Sequence, residues 1–81
     1  MLGKLKTPPG EAFGRVLRSL RKERGLSQEG LALEADLQRN YVSLIERGIN
    51  QPTVTTIFKL ATALRVRPSE IVAMVETETL R

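Results

Sequence analysis

The fold of this chain is decided by residues 27–48, which read SQEGLALEADLQRNYVSLIERG. This stretch predicts two short helices joined by a tight turn, the first over about 28–35 and the second over about 38–47. Ser27 can cap the first helix, because its side-chain oxygen can accept a backbone N–H from the first turn. Gly48 follows the second helix, where glycine commonly ends a helix in the left-handed conformation. The apolar stripe of the first helix is too narrow to be stable alone, so we expect both helices to pack on the rest of the chain.

The first turn of the second predicted helix carries polar side chains that face outward. Gln38, Arg39 and Asn40 lie on this turn, and Ser43 follows one turn later. Arginine can pair with guanine through two hydrogen bonds, glutamine and asparagine can do so with adenine, and serine can pair with either base. A short helix with such residues at its N-terminal end, held by a preceding helix, is typical of a helix-turn-helix that reads base edges. Gln38 could instead cap the helix, and Arg39 and Asn40 could be solvated surface residues.

The chain resembles the Cro/C1-type (XRE-family) helix-turn-helix proteins, which include phage repressors and small bacterial regulators. The resemblance covers about residues 13–75. It is carried by Arg21, Gly25-Leu26-Ser27-Gln28, Leu31-Ala32, Tyr41-Val42-Ser43, Ile45-Glu46-Arg47-Gly48, Pro52, Leu60-Ala61, Ala63-Leu64, Pro68 and Ile71. The size of the chain and its run over residues 39–43 look most like the controller proteins of restriction–modification systems. The resemblance implies an all-α fold, a compact five-helix lambda-repressor-like DNA-binding domain.

Individual roles can be assigned on this basis. We expect base reading by Gln38, Arg39, Asn40, Ser43 and Leu44. We expect phosphate contacts from Ser27, Gln28, Tyr41, Arg47 and Asn50; for Gln28, Arg47 and Asn50 this follows from the resemblance. Tyr41 could instead serve only in packing, and Leu44 could be an ordinary exposed leucine rather than a contact to a thymine methyl group. The resemblance further implies a structural ion pair between Arg21 and Glu46, which would tie the first helix to the reading helix.

Further helices are predicted on both sides of this motif. A first helix over 11–24 has its apolar residues at positions i, i+3, i+4 and i+7, namely Phe13, Val16, Leu17 and Leu20. A fourth helix is expected over about 54–65 and a fifth over about 68–76. Residues 1–10, rich in glycine and proline, are expected to form a flexible arm, residues 11–76 the domain, and residues 77–81 a tail. Lys4 and Lys6 of the arm could touch DNA, or the arm could be disordered without function.

The composition fits one small domain with a polyanionic partner. The 81 residues include 13 Lys and Arg against 9 Asp and Glu, a net charge of +4. Residues 1–24 hold seven basic and two acidic side chains, whereas residues 25–50 hold two basic and four acidic ones. The basic excess therefore flanks the reading helix, which is consistent with phosphate clamping from outside it. A solvated basic face on the first helix would give the same pattern.

Several classes of function are excluded or disfavoured by what the sequence lacks. There is no cysteine and no histidine, which excludes a disulfide framework and a thiolate zinc site and removes the commonest general base. No apolar run approaches the ~20 residues that a membrane-spanning helix needs. We therefore expect a cytoplasmic protein that has no cofactor, binds no metal or membrane, and is not an enzyme.

One reading helix contacts too few base pairs to select a site in a genome. We therefore expect a homodimer on a palindromic operator in double-stranded DNA, with two reading helices ~34 Å apart. The interface is expected on the fifth helix and the end of the fourth, with Ile71, Met74 and Val75. The predicted function is sequence-specific, autoregulatory control of transcription. The alternative is an antitoxin or adaptor module whose main role is to bind a partner protein.

Overall fold

The structure, a computed structural model, describes residues 4–81. It contains five helices: α1 (Pro9–Glu23), α2 (Gln28–Ala35), α3 (Arg39–Glu46), α4 (Val54–Leu64) and α5 (Pro68–Thr79). Within this range there is no β-strand, and no helix is both long and apolar enough to cross a lipid bilayer. The all-α, five-helix architecture predicted from the sequence is confirmed.

The ends of the helices follow from local chemistry. Ser27 Oγ accepts the backbone N–H of Gly30 at 2.9 Å and so caps α2. Thr53 does the same for α4, where its Oγ1 accepts the N–H of Thr56 at 3.1 Å. Gly25 and Gly48 follow α1 and α3 with φ of +70° and +75°. At these two positions the chain turns in the left-handed conformation, which glycine adopts without the steric cost of a Cβ atom.

The core is built from apolar side chains of all five helices. The largest fully buried side chains are Leu17, Leu31, Val42, Ile45, Leu60 and Ile71. The prediction that Ile71 lies at a dimer interface is wrong, because its side chain is 0% exposed within a single chain and offers no surface to a partner. Ile71 instead belongs to the core, where α5 packs against α1 and α4.

At Gly14 the backbones of α1 and α3 lie close together. A Cβ atom on this residue would lie 2.5 Å from the carbonyl oxygen of Glu46 and 2.6 Å from that of Ile45. Both are backbone atoms, which cannot move aside as the end of a flexible side chain can. The absence of a side chain at Gly14 therefore sets the distance between α1 and the C-terminal end of α3.

The segment before α1, residues 4–8, forms an N-terminal strap across the end of α5. The backbone N–H groups of Lys6 and Thr7 donate to the carbonyl oxygen of Thr79 at 2.8 and 3.3 Å. The side chains of Thr7 and Thr79 are both buried. The strap thus supplies donors to a carbonyl at the C-terminal end of α5, where no further helical turn follows to do so.

Two boundaries differ from the prediction by two residues or more. The helix α1 begins at Pro9 rather than at residue 11, because proline suits the first turn of a helix, where its missing N–H costs nothing. The helix α5 continues to Thr79 rather than ending near residue 76. Residues 1–3 of the predicted arm lie outside the described part of the chain.

Candidate nucleic-acid interface

The outward face of α3 is fixed by the residues that it buries. Val42 and Ile45 are both 0% exposed, so the opposite side of this short helix must face solvent. Arg39 and Asn40 on its first turn are exposed, and Ser43 is half-buried. The structure therefore brings the polar residues singled out from the sequence onto one accessible face.

Gln38 lies immediately before this face, at the N-cap of α3. Its side chain makes no capping hydrogen bond and is exposed. The alternative role of Gln38 as a side-chain cap is therefore wrong, and its amide remains accessible beside Arg39.

Leu44 is half-buried rather than freely exposed. Its carbonyl oxygen accepts the backbone N–H groups of Ile49 and Asn50 at 3.0 and 3.2 Å. These bonds fold the loop after α3 back onto the helix. Arg47 at the end of α3 is exposed and Asn50 in the loop is half-buried, so both lie on the segment next to the reading helix.

Arg21 and Glu46 form the ion pair that the resemblance implies. Arg21 Nε donates to Glu46 Oε2 at 2.6 Å and Arg21 Nη2 donates to Glu46 Oε1 at 3.0 Å, in a bidentate arrangement. The side chains of the two residues are only 11% and 3% exposed. Hydrogen bonding to Glu46 raises the pKa of Arg21 above its ordinary value, against the opposing effect of burial, and charge attraction adds to the rise.

The same ion pair also holds the residues at the start of α2 in place. The third nitrogen of the guanidinium, Arg21 Nη1, donates to the carbonyl oxygen of Leu26 at 2.9 Å. Gln28 Nε2 donates to Glu46 Oε1 at 3.1 Å. One carboxylate at the end of α3 therefore holds both α1 and the first residue of α2. The Gln28 amide is held beside α3, and its second N–H remains to donate to another acceptor.

Tyr41 both packs and makes a polar contact. Its ring is half-buried against the core, and its Oη lies 3.4 Å from Thr56 Oγ1 on α4. The sequence left packing and DNA contact as alternatives for Tyr41, and the structure shows the packing of the ring. A role for Thr56 was not predicted from the sequence, although its position three residues after the cap Thr53 places the two side chains on the same turn of α4.

Several arginines of α1 and the segment after it form ion pairs, so fewer basic side chains are unpaired than the net charge suggests. Arg24 donates to Glu34 Oε1 at 3.2 Å and to the carbonyl oxygen of Ala63 at 3.3 Å. Arg15 lies between two carboxylates on α1 and α5. Three of the seven basic residues in positions 1–24 are therefore paired with carboxylates, and two of them, Arg21 and Arg24, also donate to backbone carbonyl oxygens.

The residues expected at a dimer interface point in different directions. Met74, which is 40% exposed, lines a groove between α1 and α5 with Arg15 and Val16. Val75 lines another groove, together with Val72 and other residues of α1, α4 and the loop before α4. Met74 and Val75 are adjacent in the chain but line separate grooves.

The second groove is lined mainly by apolar side chains. It is lined by Pro9, Gly10, Phe13, Gln51, Pro52, Ile57, Val72 and Val75. Phe58, next to Ile57 on α4, is 57% exposed, and Val72 on α5 is 51% exposed. We call the set formed by Ile57, Phe58, Val72 and Val75 the apolar α4–α5 face.

Comparison with known proteins places this geometry in a family. The family model HTH_3, described as helix-turn-helix, matches residues 17–71. Control protein C.BamHI of Bacillus amyloliquefaciens is 42% identical over 60 residues, which cover 73% of this chain and 74% of that protein. The structure is similar to that of the restriction–modification controller protein C.AhdI from Aeromonas hydrophila, with a TM-score of 0.74 and 48% identity over 75% of this chain and 92% of that one.

A further solved structure extends the similarity to nearly the whole chain. It is the restriction–modification controller protein C.Esp1396I, solved as a tetramer in complex with its natural 35-base-pair operator. The TM-score is 0.83 with 28% identity, and the match covers 94% of this chain and 100% of that one. This chain belongs to the Cro/C1-type (XRE-family) helix-turn-helix family that its sequence resembles.

Proposed function

We propose that this protein is a sequence-specific DNA-binding regulator of transcription that controls its own gene. The observation that carries the proposal is the outward face of α3, where Arg39 and Asn40 are exposed while Val42 and Ile45 anchor the helix from behind. Arginine and asparagine offer the paired hydrogen bonds that distinguish guanine and adenine in the major groove. Family membership and the operator complex of C.Esp1396I support the same assignment.

The phosphate contacts would come from the residues that border this face. Ser27 and Gln28 stand at the N-terminus of α2, where backbone N–H groups and the helix dipole favour an anion. Arg47 and Asn50 border the other end of α3, and Tyr41 lies at its edge. These contacts would hold α3 in register on the duplex while Gln38, Arg39, Asn40, Ser43 and Leu44 read the bases.

The protein would act as a homodimer on an inverted repeat. The apolar α4–α5 face supports this, because exposed Phe58 and Val72 together with Val75 and Ile57 offer an apolar surface on the two helices expected to form the interface. A two-fold axis through this face would relate the two α3 helices, as an isologous interface requires. Of the three interface residues expected from the sequence, Val75 lies on this face, Met74 would be peripheral, and Ile71 is in the core.

The similar proteins indicate the biological system in which this protein would act. Similarity to C.BamHI, C.AhdI and C.Esp1396I supports a role as a controller protein of a restriction–modification system. In this role the protein would be cytoplasmic, where the DNA is, and would regulate without catalysing a reaction. Its own concentration would set the occupancy of the operator.

A footprint on the DNA immediately upstream of the protein's own gene tests the proposal. We expect protection of an inverted repeat whose half-sites lie about one helical turn apart. Failure to protect any site at concentrations that sustain a dimer would contradict the proposal and favour a partner-binding role.

Base reading by Arg39 is tested by competition between the protected site and random DNA. Arg39→Ala should weaken binding to the operator by about 1–3 kcal/mol per half-site and relax the preference for one base pair. Arg67→Ala is the matched control, since Arg67 is also an exposed arginine but lies between α4 and α5, away from α3. An equal loss on operator and random DNA would refute base reading by Arg39.

A further inference from the structure

Three hydroxyl groups connect the reading helix to the start of α4. Thr53 Oγ1 donates to Thr56 Oγ1 at 3.0 Å, and Thr56 Oγ1 lies 3.4 Å from Tyr41 Oη. Thr56 is only 6% exposed, although its side chain is polar. Tyr41 is half-buried, with its ring packed against that core. The chain Thr53–Thr56–Tyr41 therefore runs from the exposed N-cap of α4, through a buried threonine, to Tyr41 on α3.

The order of donors in this chain follows from counting hydrogens. Thr53 Oγ1 accepts the backbone N–H of Thr56 at 3.1 Å, so its single proton is free to go to Thr56 Oγ1. A hydroxyl has one proton and two lone pairs. Within residues 4–81, Thr56 Oγ1 has two hydrogen-bond partners, Thr53 Oγ1 and Tyr41 Oη. If Thr56 donates its hydroxyl hydrogen bond to Tyr41 Oη, the O–H of Tyr41 remains available to donate to a group outside the protein.

The position of Tyr41 indicates what it would donate to. Arg39 and Asn40 occupy the exposed face of α3, whereas the Tyr41 ring leans against the core and reaches α4. A side chain at the flank of a reading helix meets the sugar–phosphate backbone beside the groove rather than the base edges at its floor. A hydroxyl that donates to an anionic oxygen forms a shorter and stronger bond than one between neutral groups.

We propose that Thr56 is a positioning residue for DNA binding, which orients the Tyr41 hydroxyl as a donor to a backbone phosphate. The inference rests on the proposed function and adds a role for a buried side chain that does not itself touch DNA. Each donated bond polarises the next hydroxyl, so the Thr53–Thr56 bond also strengthens Tyr41 as a donor. The contact of 3.4 Å between Tyr41 and Thr56 is long for two hydroxyls in the free protein, and we expect it to shorten when phosphate binds.

The experiment is a double-mutant cycle on DNA affinity, measured on operator and on random duplex of equal length. Tyr41→Phe should weaken binding about tenfold on both, and Thr56→Val about threefold on both, since a phosphate contact does not depend on sequence. In the Tyr41→Phe background, Thr56→Val should have no further effect, because Thr56 acts only through the Tyr41 hydroxyl. Thr56→Ser keeps the hydroxyl and should bind as the wild type does.

Several results would overturn the proposal. Additive losses from Tyr41→Phe and Thr56→Val, or an unchanged affinity for Thr56→Val, would show that the two hydroxyls are not coupled. A loss on operator alone would assign Tyr41 to a base instead of a phosphate. If Thr56→Val does not fold, the comparison of Thr56→Ala with Thr56→Ser gives the same decision, and weak binding by both would refute a role for the hydroxyl. Wild-type protein that binds random DNA but protects no specific site would refute the proposed function. The double-mutant cycle could still be measured on random DNA in that case.

Discussion

Replacing Arg21 by methionine removes the cation from the most buried ion pair of this domain. The Glu46 carboxylate, 3% exposed, would be left with the Gln28 amide as its donor, and the Leu26 carbonyl oxygen would lose the bond from Arg21 Nη1. Breaking a buried pair by deleting one partner costs about 3–5 kcal/mol, because the remaining charge is uncompensated. The whole domain is expected to be stable by only about 5–15 kcal/mol, so Arg21→Met should remove a large fraction of this.

The assay is thermal unfolding followed by far-ultraviolet circular dichroism, at one fixed protein concentration because dimerisation affects the midpoint. For a domain of this size, a loss of 3–5 kcal/mol lowers Tm by roughly 15–30 °C. Arginine is protonated throughout the neutral range in the unfolded chain. The raised pKa of Arg21 keeps it protonated in the folded chain as well. The effect should therefore be the same at pH 6 and at pH 8 as far as Arg21 is concerned.

Arg15→Met provides the matched control on the same helix. Arg15 is 55% exposed and pairs with Glu11 and Glu78 at 2.9 and 3.4 Å. Exposed pairs of this kind contribute about 0–1 kcal/mol, so this variant should lower Tm by only a few degrees. Equal shifts for Arg15→Met and Arg21→Met would refute the argument that burial makes the second pair important.

Three further perturbations test other parts of the structure. Gly14→Ala should lower stability by about 1–3 kcal/mol in a urea titration, despite the better helix propensity of alanine, because its Cβ would lie 2.5 Å from a backbone oxygen of α3. Removal of residues 1–7 should cost about 1 kcal/mol by withdrawing two donors from the Thr79 carbonyl oxygen, and unchanged stability would show that the strap does not hold α5. Phe58→Asp should give a folded monomer in sedimentation, whereas Leu33→Asp, at an exposed leucine of α2, should leave the oligomeric state unchanged.

The motif in residues 27–48 could be predicted because its signals are local. Ser27 and Gly48 mark the two ends through hydrogen bonding and backbone conformation within one turn of helix, and these depend on neighbours in the chain. The outward position of Arg39 follows in the same way, once the periodicity sets Val42 and Ile45 on the opposite face. Family resemblance added the Arg21–Glu46 pair, which joins residues 25 positions apart and which spacing alone would not have revealed.

The choice among apolar residues of α5 could not be made from the sequence. Ile71, Val72, Met74 and Val75 all suit either a core or an interface, because a helix of mixed apolar residues shows no single stripe. Packing of α1 and α4 decides that Ile71 is buried, that Val72 is exposed, and that Met74 and Val75 line separate grooves. This is why the predicted interface was wrong for Ile71.

The helices, the cap at Ser27 and the outward residues of α3 could be predicted from the sequence, since they follow from hydrogen bonding and periodicity over a few positions. The pairing of charged side chains and of hydroxyl groups could not be predicted in this way, because it depends on how the helices pack. Arg24 is tied to Glu34 and the Ala63 carbonyl oxygen, the strap is bound to Thr79, and Tyr41 lies beside Thr56. These contacts join segments distant in the chain, and their partners are set by the crossing of helices in space rather than by any pattern within one segment.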